Sequence, residues 1–512
     1  SSDRKQWLLQ YDPTRYIVPS EQYPITTYFN QELIKYSMED CKRSIPNIYD
    51  GLKVSQRKCL FSVFKKNLQY HSKSMKVAQL AGYCAEHSNY HHGENCLFET
   101  IIKMSHHFPG SNNIPFFERD GQFGSRSHGG KDAANARYIF TKLAPLTRLL
   151  FPAEDDVLLS YTLDDGDKVE PDYYLPILPT CLLNGCTAGI GTGWSCFIPC
   201  FPFRELLFRI REYLRGNREA FSIDPDYYGY GGTIEKIDNN RYRTVGKLSS
   251  FTKKNKVYYE IRELPIGVWT DKYKEELESM QEQKKIKNLK NYSGTEKIHF
   301  VFEPVSERIN ETTMKLSSTL HLTNMVLFSQ QNRIQRFSTI QEIFDEYFEK
   351  RYELYGKRIQ HQINILEQEL AMLDNKTRFL NAVIEGQIKP FDYLEDDLEH
   401  RLETLGFCRC ENRFDYLLSI PIRSMTRTRY GQLMEKMRET EKKLELYRKV
   451  TPEILWEKDL QRLETQYEKF YSLLRCFLYN RIVSLVGGIW RFCRIFLVSL
   501  SFEFFCFGFF EF

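Results

Sequence analysis

Apolar residues recur at steps of three and four over Tyr352, Tyr355, Ile359, Ile363, Leu366, Leu370 and Leu373, with Glu, Gln, Lys and Arg between them. That spacing lines one face of an α-helix and predicts a single long helix from about Ile340 to Ile384. Tyr430, Leu433, Met437, Leu444 and Tyr447 repeat the seam further on. Two such helices around a mixed segment predict an antiparallel coiled-coil hairpin with a small globular unit at its tip. Thr451-Pro452 then opens a third helix, with Thr as cap and Pro in the first turn. Upstream, residues 200–325 alternate helical stretches such as Phe203–Arg215 with strand-like runs such as Val257–Arg262, punctuated by Gly231-Gly232 and Pro265. Residues 1–150 mix short amphipathic helices with Gly-rich loops. The pattern is that of an α+β chain of several domains.

Composition narrows the class. A length of 512 residues exceeds one ordinary core and suggests three or four domains. With 42% hydrophobic and 27% charged residues, a disordered or fibrous chain is excluded. The 71 basic and 67 acidic side chains leave a formal charge of +4, which by itself points to no polyanion partner. Thirteen scattered cysteines and the absence of a signal peptide favour a reducing intracellular compartment. Ser at position 1 suggests a processed chain or a fragment.

Two stretches depart from these averages. Leu52 to Ala85 contains no Asp or Glu but carries Lys53, Arg57, Lys58, Lys65, Lys66, Lys73 and Lys76. Such a strip is either a solvated helix face or a surface that meets phosphates and releases counterions. Residues 471–512 hold 10 of the 37 Phe and only two acids, Glu503 and Glu511. Phe477 to Leu500 is long enough to cross a bilayer, but Arg481, Arg491 and Arg494 interrupt it at a substantial insertion cost. A buried helix, or sequence foreign to the rest of the protein, fits this tail better than a membrane anchor.

The richest chemistry lies in Gly121-Gln122-Phe123-Gly124, Gly129-Gly130-Lys131-Asp132 and Arg137-Tyr138. Closely spaced glycines let backbone N–H groups approach a phosphate with Lys131 beside them, or simply build a turn. The spacing is not that of a nucleotide P-loop, so a mononucleotide pocket is not supported. A phenol with a pKa near 10 is a poor nucleophile, and a neighbouring cation such as Arg137 favours its phenolate. Most of the 32 tyrosines must nevertheless be structural. Cys84, His87, His91, His92 and Cys96 cluster in a spacing that matches no common structural zinc site. The His pair in Tyr90-His91-His92-Gly93-Glu94 has an alternative use, hydrogen bonding to a phosphate or polarising a scissile bond. Cys408 and Cys410 have no partners in the sequence and are expected to be plain thiols.

Taken in order, SIPNIYDGLKVSQRK (44–58), KVAQLAGYCAEHSNYHHGE (76–94), GQFGSRSHGGKDAANARYIFTKLAPLTRLLFP (121–152) and NGCTAGIGTGWS (184–195) resemble the breakage–reunion region of type II DNA topoisomerases. The form is closest to those of eukaryotes and large DNA viruses. ELPIGVWTDKYKE (263–275), HLTNMVLF (321–328) and the hairpin helices continue the resemblance, which covers roughly residues 1–470. It implies that Tyr138 attacks a DNA phosphodiester, forming a 5′-phosphotyrosyl link and releasing a 3′-hydroxyl. It implies that Arg137 and Arg57 stabilise charge on the phosphate, and that His92, supported by His91, hydrogen-bonds nearby. By the same resemblance Lys58, Lys131 and Gln122 position the DNA backbone, and Ile190 is the wedge that unstacks a base step and kinks the duplex.

The resemblance also implies an architecture. Residues 1–30 would end a metal-binding domain, and 31–155 would form a winged-helix domain with the nucleophile. Residues 156–335 would form a mixed α/β tower, 336–470 the coiled coil and a C-terminal dimer gate, and 471–512 a tail without counterpart. Double-stranded DNA and a second copy of the chain are the implied partners, with no small-molecule substrate and no membrane. Mg²⁺ and ATP are the implied cofactors, both through domains absent from this chain, so no metal ligand is assigned here. The implied location is the nucleus, or a viral replication site. Two other readings stand beside it: a catalytically inactive DNA-bending coiled-coil dimer, and a membrane-tethered coiled-coil protein resting on the tail alone.

Overall fold

The acid-free strip folds as two helices joined by a loop and a two-residue strand, and its cations part company. Helix Val54–Lys65 starts where the Gln56 side chain accepts the Lys53 N–H at 2.9 Å, half of a capping box. It packs against helices Val77–His87 and Glu94–Ser105 around Cys59, Leu60, Val63, Leu80, Ala81, Leu97 and Ile101, all fully buried. A helix flanked on two sides has little free surface, so Arg57 and Lys58 turn inward while Lys65, Lys66, Lys73 and Lys76 face solvent. The strip is therefore two sets of cations with different roles. A two-residue ribbon, Met75–Lys76 with Phe140–Thr141, ties this helical unit to the segment that carries Tyr138.

The computed structural model describes residues 2–17, 22–305, 309–329, 333–389, 393–409, 413–421 and 426–486. Every strand pair described is antiparallel. The largest sheet runs in the order Ile286–Asn291, Phe300–Pro304, Lys256–Glu263, Lys247–Lys253. One face buries Ile261, Ile286, Phe300 and Phe302 against Tyr273, Leu277 and Met280 of helix Thr270–Glu282. A smaller sheet of Ser317–His321, Arg241–Val245 and Thr233–Asp238 follows the same hairpin logic. The ribbon Cys186–Gly191 with Trp194–Ile198 forms its own two-stranded sheet, packed against helix Ile34–Ser44 and strand Met325–Phe328.

The long helix runs Ile340–Ile384, as its periodicity predicts, and Thr339 caps it by accepting the Glu342 N–H. Its first turns bury Ile343, Phe344, Tyr347 and Phe348, and Trp456 stacks on Phe348 with ring centroids 4.9 Å apart. Helix Arg427–Arg448 lies along its second half, with Arg448 reaching Glu367 at 2.8 Å. Between them, helices Glu395–Thr404 and Asp415–Leu418 close a small core of Phe379, Leu402, Phe407, Phe414 and Leu417. The last helix spans Pro452–Val486. Residues 1–458 form one compact unit, and 459–512 are a second, described only as far as residue 486. Among the described residues no helix is long and apolar enough to cross a membrane. The Phe-rich run from 487 onward, and Cys410, lie outside the described residues.

Candidate functional site

Tyr138 sits on backbone that is fixed from both sides. The first two amides of helix Val77–His87 need acceptors, and the tyrosine segment supplies them. Val77 N–H donates to the Ile139 carbonyl at 3.0 Å, and Ala78 N–H to that of Ala136 at 3.1 Å. Phe140 and Asp120 exchange both backbone hydrogen bonds, at 2.8 and 3.1 Å. Ala136 and Ile139 are buried, so the two residues between them point outward, and Tyr138 is 72% exposed. Arg137 is held beside it by Asn135, whose side-chain oxygen accepts both the Arg137 backbone N–H and, at 3.4 Å, Nε. Burial pushes other phenols up, Tyr90 and Tyr161 both to about 12, which makes them poor nucleophiles.

The glycine-rich loop before Tyr138 owes its glycines to packing within the protein. Gly124 has φ +96°, and a side chain there would overlap the Gly130 backbone. Gly129 has φ +64°, and its Cβ would overlap the Trp269 indole. Arg126, almost fully buried, hydrogen-bonds through Nη2 to Glu263 at the end of strand Lys256–Glu263. Glu263 also accepts the Leu264 N–H at 2.9 Å and the Gly231 N–H at 3.0 Å. His128 Nε2 lies 2.7 Å from Asp271 of the next helix. The loop carrying the tyrosine is thus anchored to the large sheet. Lys131 and Gln122 remain exposed, with Gln122 donating to Asp132 at 3.3 Å.

Arg57, expected to stabilise charge on the reacting phosphate, and Lys58, expected at the DNA backbone, are interior cations with internal partners. Arg57 is 6% exposed and forks onto Asp50, Nε to Oδ2 at 2.7 Å and Nη2 to Oδ1 at 3.0 Å. Nη2 also donates to the Leu52 carbonyl at 3.0 Å, which leaves Nη1 as the open edge of the guanidinium. Lys58 bridges Glu170, at 2.8 Å, and the Ser88 carbonyl. It lines a cleft of about 420 Å³ together with Arg43, Asn89, Tyr90 and the exposed pair His91 and His92. Arg43 escaped the sequence reading because it precedes the acid-free strip. Asp50 and Glu170 escaped it because only the folded chain brings them to their cations.

Ile190 stands at the end of the ribbon, opposite Ser195, and is 80% exposed. The turn beyond it is pinned by Asp40, whose Oδ2 accepts the Thr192 N–H and hydroxyl, both at 2.9 Å. Asp40 also lines the His91–His92 cleft, so the ribbon and the cleft share one support. The Cys/His cluster does not converge. Cys84 is buried against Ser88 while Cys96 is exposed, and His87 stacks on Tyr83 at 3.9 Å. Among the described residues no three His, Cys, Asp or Glu side chains are arranged to hold a metal ion.

The family model for the A-type subunit of DNA gyrase/topoisomerase IV matches residues 43–461, which hold the tyrosine segment, the ribbon and most of the cleft lining. The chain belongs to this DNA gyrase/topoisomerase IV family. Within it, the chain is similar to the DNA topoisomerase 2 of Invertebrate iridescent virus 6, 38% identical over 91% of this chain and 41% of the viral protein. It is also 38% identical to the DNA topoisomerase 2 of Plasmodium falciparum, over 91% of this chain and 36% of that one. The chain therefore spans about two fifths of the length of these relatives. A crystal structure of the Plasmodium falciparum topoisomerase II DNA-binding, cleavage and re-ligation domain superimposes with a TM-score of 0.84 at 38% identity. It covers 94% of this chain and 69% of the solved one. The α+β fold is the fold of that gyrase/topoisomerase family member.

Proposed function

We propose that this chain is the DNA-breaking and rejoining portion of an ATP-dependent type II DNA topoisomerase, with Tyr138 as the nucleophile. The observation that carries this is the outward-facing Arg137–Tyr138 pair on a segment whose flanking carbonyls cap helix Val77–His87. In the reaction Tyr138 Oη bonds to phosphorus, the bond from phosphorus to the 3′-oxygen breaks, and the phenolic proton is balanced by the one the 3′-hydroxyl gains. Phosphodiester is exchanged for phosphodiester, so cleavage reverses without further energy input. Arg137, the Nη1 edge of Arg57 and His92 stabilise the charged phosphate, with His91 in support. Lys131 and Gln122 hold the backbone and Ile190 enters the base stack. Lys58 acts from inside, through Glu170 and Ser88, to shape the histidine cleft.

One tyrosine cuts one strand, so a homodimer supplies the double-strand break through which another duplex passes. Residues 31–155 serve as the winged-helix DNA-binding domain, 156–335 as the tower, and 336–470 as the far dimer gate. Type II topoisomerases in general use Mg²⁺ and ATP; the described side chains of this chain do not fit a metal site. The working place is a nucleus or a viral replication site. The test is Tyr138→Phe, assayed for covalent DNA–protein adducts with the metal-binding domain of a relative supplied. Wild-type chain is expected to form adducts and the variant none. Adduct yield unchanged in Tyr138→Phe sinks the assignment, and bending without adducts in both proteins favours a DNA-bending dimer instead.

A further inference from the structure

The cysteines are scattered along the chain, yet the fold brings two of them together in the ribbon that carries Ile190. Cys186 stands opposite Ile198 and Gly189 opposite Cys196, with an irregular step between the two pairs. Residues two apart on a strand share a face, so Cys196 lies on the face of Ile198 and diagonal to Cys186. Both cysteines are buried, and their side chains hydrogen-bond to each other. Cys186 Sγ also lies 3.8 Å from the carbonyls of Gly51 and Cys181. The pair is close to the surface: Ala188 and Ile190 are exposed, and Gly191 to Ser195 are all half-buried.

The surroundings sort the two thiols into an acceptor and a donor. The Cys186 thiol donates to the Cys196 sulfur, the Val326 N–H donates to the same sulfur, and the Lys53 ammonium stands nearby. Together they hold the Cys196 thiol below its usual range against the opposing cost of burial. Donation to Cys196, with burial added, pushes the Cys186 thiol well up, so it keeps its proton. Lys53 precedes helix Val54–Lys65, and its Nζ lies 3.4 Å from where a Cβ on Gly189 would stand. A thiolate that faces an ammonium and a second thiol is a nucleophile with its resolving partner already in place.

We propose that Cys196 and Cys186 form a peroxide-sensitive pair whose disulfide cross-links the ribbon and shifts Ile190. The Cys196 thiolate attacks one oxygen of hydrogen peroxide, the O–O bond breaks, and the leaving hydroxide takes up a proton to become water. The Cys186 sulfur then bonds to the Cys196 sulfur as the S–O bond breaks, and the Cys186 proton leaves with that oxygen as a second water. Each sulfur gives up one electron, and the peroxide takes both. In a reducing compartment such a bond is transient rather than structural. Diagonal neighbours across a strand pair have Cα atoms ~7–8 Å apart, whereas a disulfide holds them at ~4.4–6.8 Å. Closing the bridge therefore draws the two strands together by about 1 Å at the base of the turn that presents Ile190. The oxidation does not depend on what the chain does with DNA; its effect on bending rests on the reading of Ile190 as the wedge.

The test treats the full chain with hydrogen peroxide, blocks the remaining free thiols, cleaves after Trp194 with chymotrypsin and maps the fragments by mass spectrometry. Fragments joined through Cys186 and Cys196, and separated again by a dithiol, are expected. Cys186→Ser should deprive Cys196 of its partner and carry it to the sulfinic acid, whereas Cys196→Ser should leave Cys186 a free thiol. Lys53→Gln should slow the bridge about three- to tenfold while Lys53→Arg keeps the rate, since one unit of thiol pKa is worth up to about tenfold in thiolate. Circular dichroism should show the variants folded. Oxidation confined to other cysteines, such as the exposed Cys96 and Cys408, overturns the proposal, as does an unmodified Cys196 in Cys186→Ser. Duplex bending, read by end-to-end energy transfer, should fall on oxidation and return with the dithiol. A bridged chain that bends duplex as well as the reduced one overturns the link to Ile190. A reduced chain that bends no duplex sinks the DNA-acting reading instead, and the thiol mapping still decides the pair.

Discussion

Asp50 is the carboxylate on which the interior cation depends, and Asp50→Asn isolates its contribution. Its buried side chain accepts four hydrogen bonds: Arg57 Nε at 2.7 Å, Arg57 Nη2 at 3.0 Å, Leu52 N–H at 2.9 Å and Tyr174 N–H at 3.0 Å. Asn preserves the shape but turns one acceptor oxygen into a donor, so one edge now faces donors. It also removes the counter-charge of a guanidinium that water barely reaches. Stranding one member of a buried pair costs about 3–5 kcal/mol, and about 4 kcal/mol is expected here. The chain has several domains, so a global unfolding free energy is the wrong readout. Hydrogen exchange in helix Val54–Lys65 reports the local loss instead: 4 kcal/mol is roughly a thousandfold faster exchange if opening there is limited by this contact. Exchange accelerated less than about tenfold, under ~1.4 kcal/mol, refutes the claim that Asp50 holds Arg57 in place.

Three further outcomes follow from the same geometry. Ile190→Ala should leave thermal stability within about 0.5 kcal/mol of wild type, because the side chain is exposed, while reducing DNA bending measured by end-to-end energy transfer. Gly129→Ala should destabilise the tyrosine loop by about 1–3 kcal/mol, since φ is +64° and the Trp269 ring occupies the space. Protease nicking near residue 129 and adduct yield would both report it. Burial, reinforced by Arg119, pushes His107 down to about 4 while its ring stacks on Tyr228 at 4.6 Å. The unfolded chain then takes up the proton first, so stability from this residue is complete above about pH 6.5 and lost as pH falls toward 4. The loss is about 2 kcal/mol, discounted because the ring is only partly covered, and His107→Gln should flatten that part of the pH–stability curve.

Helical elements were legible because their signal is local. A seam repeating every three or four residues needs no knowledge of the partner, so Ile340–Ile384 was readable from its periodicity, whereas the unit at the hairpin tip was readable only as a mixed segment between two seams. The motif order around Arg137 and Tyr138 was readable for the same reason. The destination of individual charges was not. Arg57 and Lys58 belong to one acid-free strip, yet Lys58 finds Glu170 only 112 positions away. The glycines near Tyr138 fitted a phosphate cradle or an ordinary turn equally well, and the folded chain sets Trp269 and the Gly130 backbone against them.

The sequence by itself determined the helical hairpin, the α+β character, the exposed tyrosine's motif and the family. Tertiary structure alone decided which cations meet solvent and which are locked to carboxylates. It alone brought Cys186 and Cys196 together across the ribbon. The reason is range: periodicity and capping act within about one helical turn of chain, whereas ion pairing and strand register depend on which distant segments the fold places side by side.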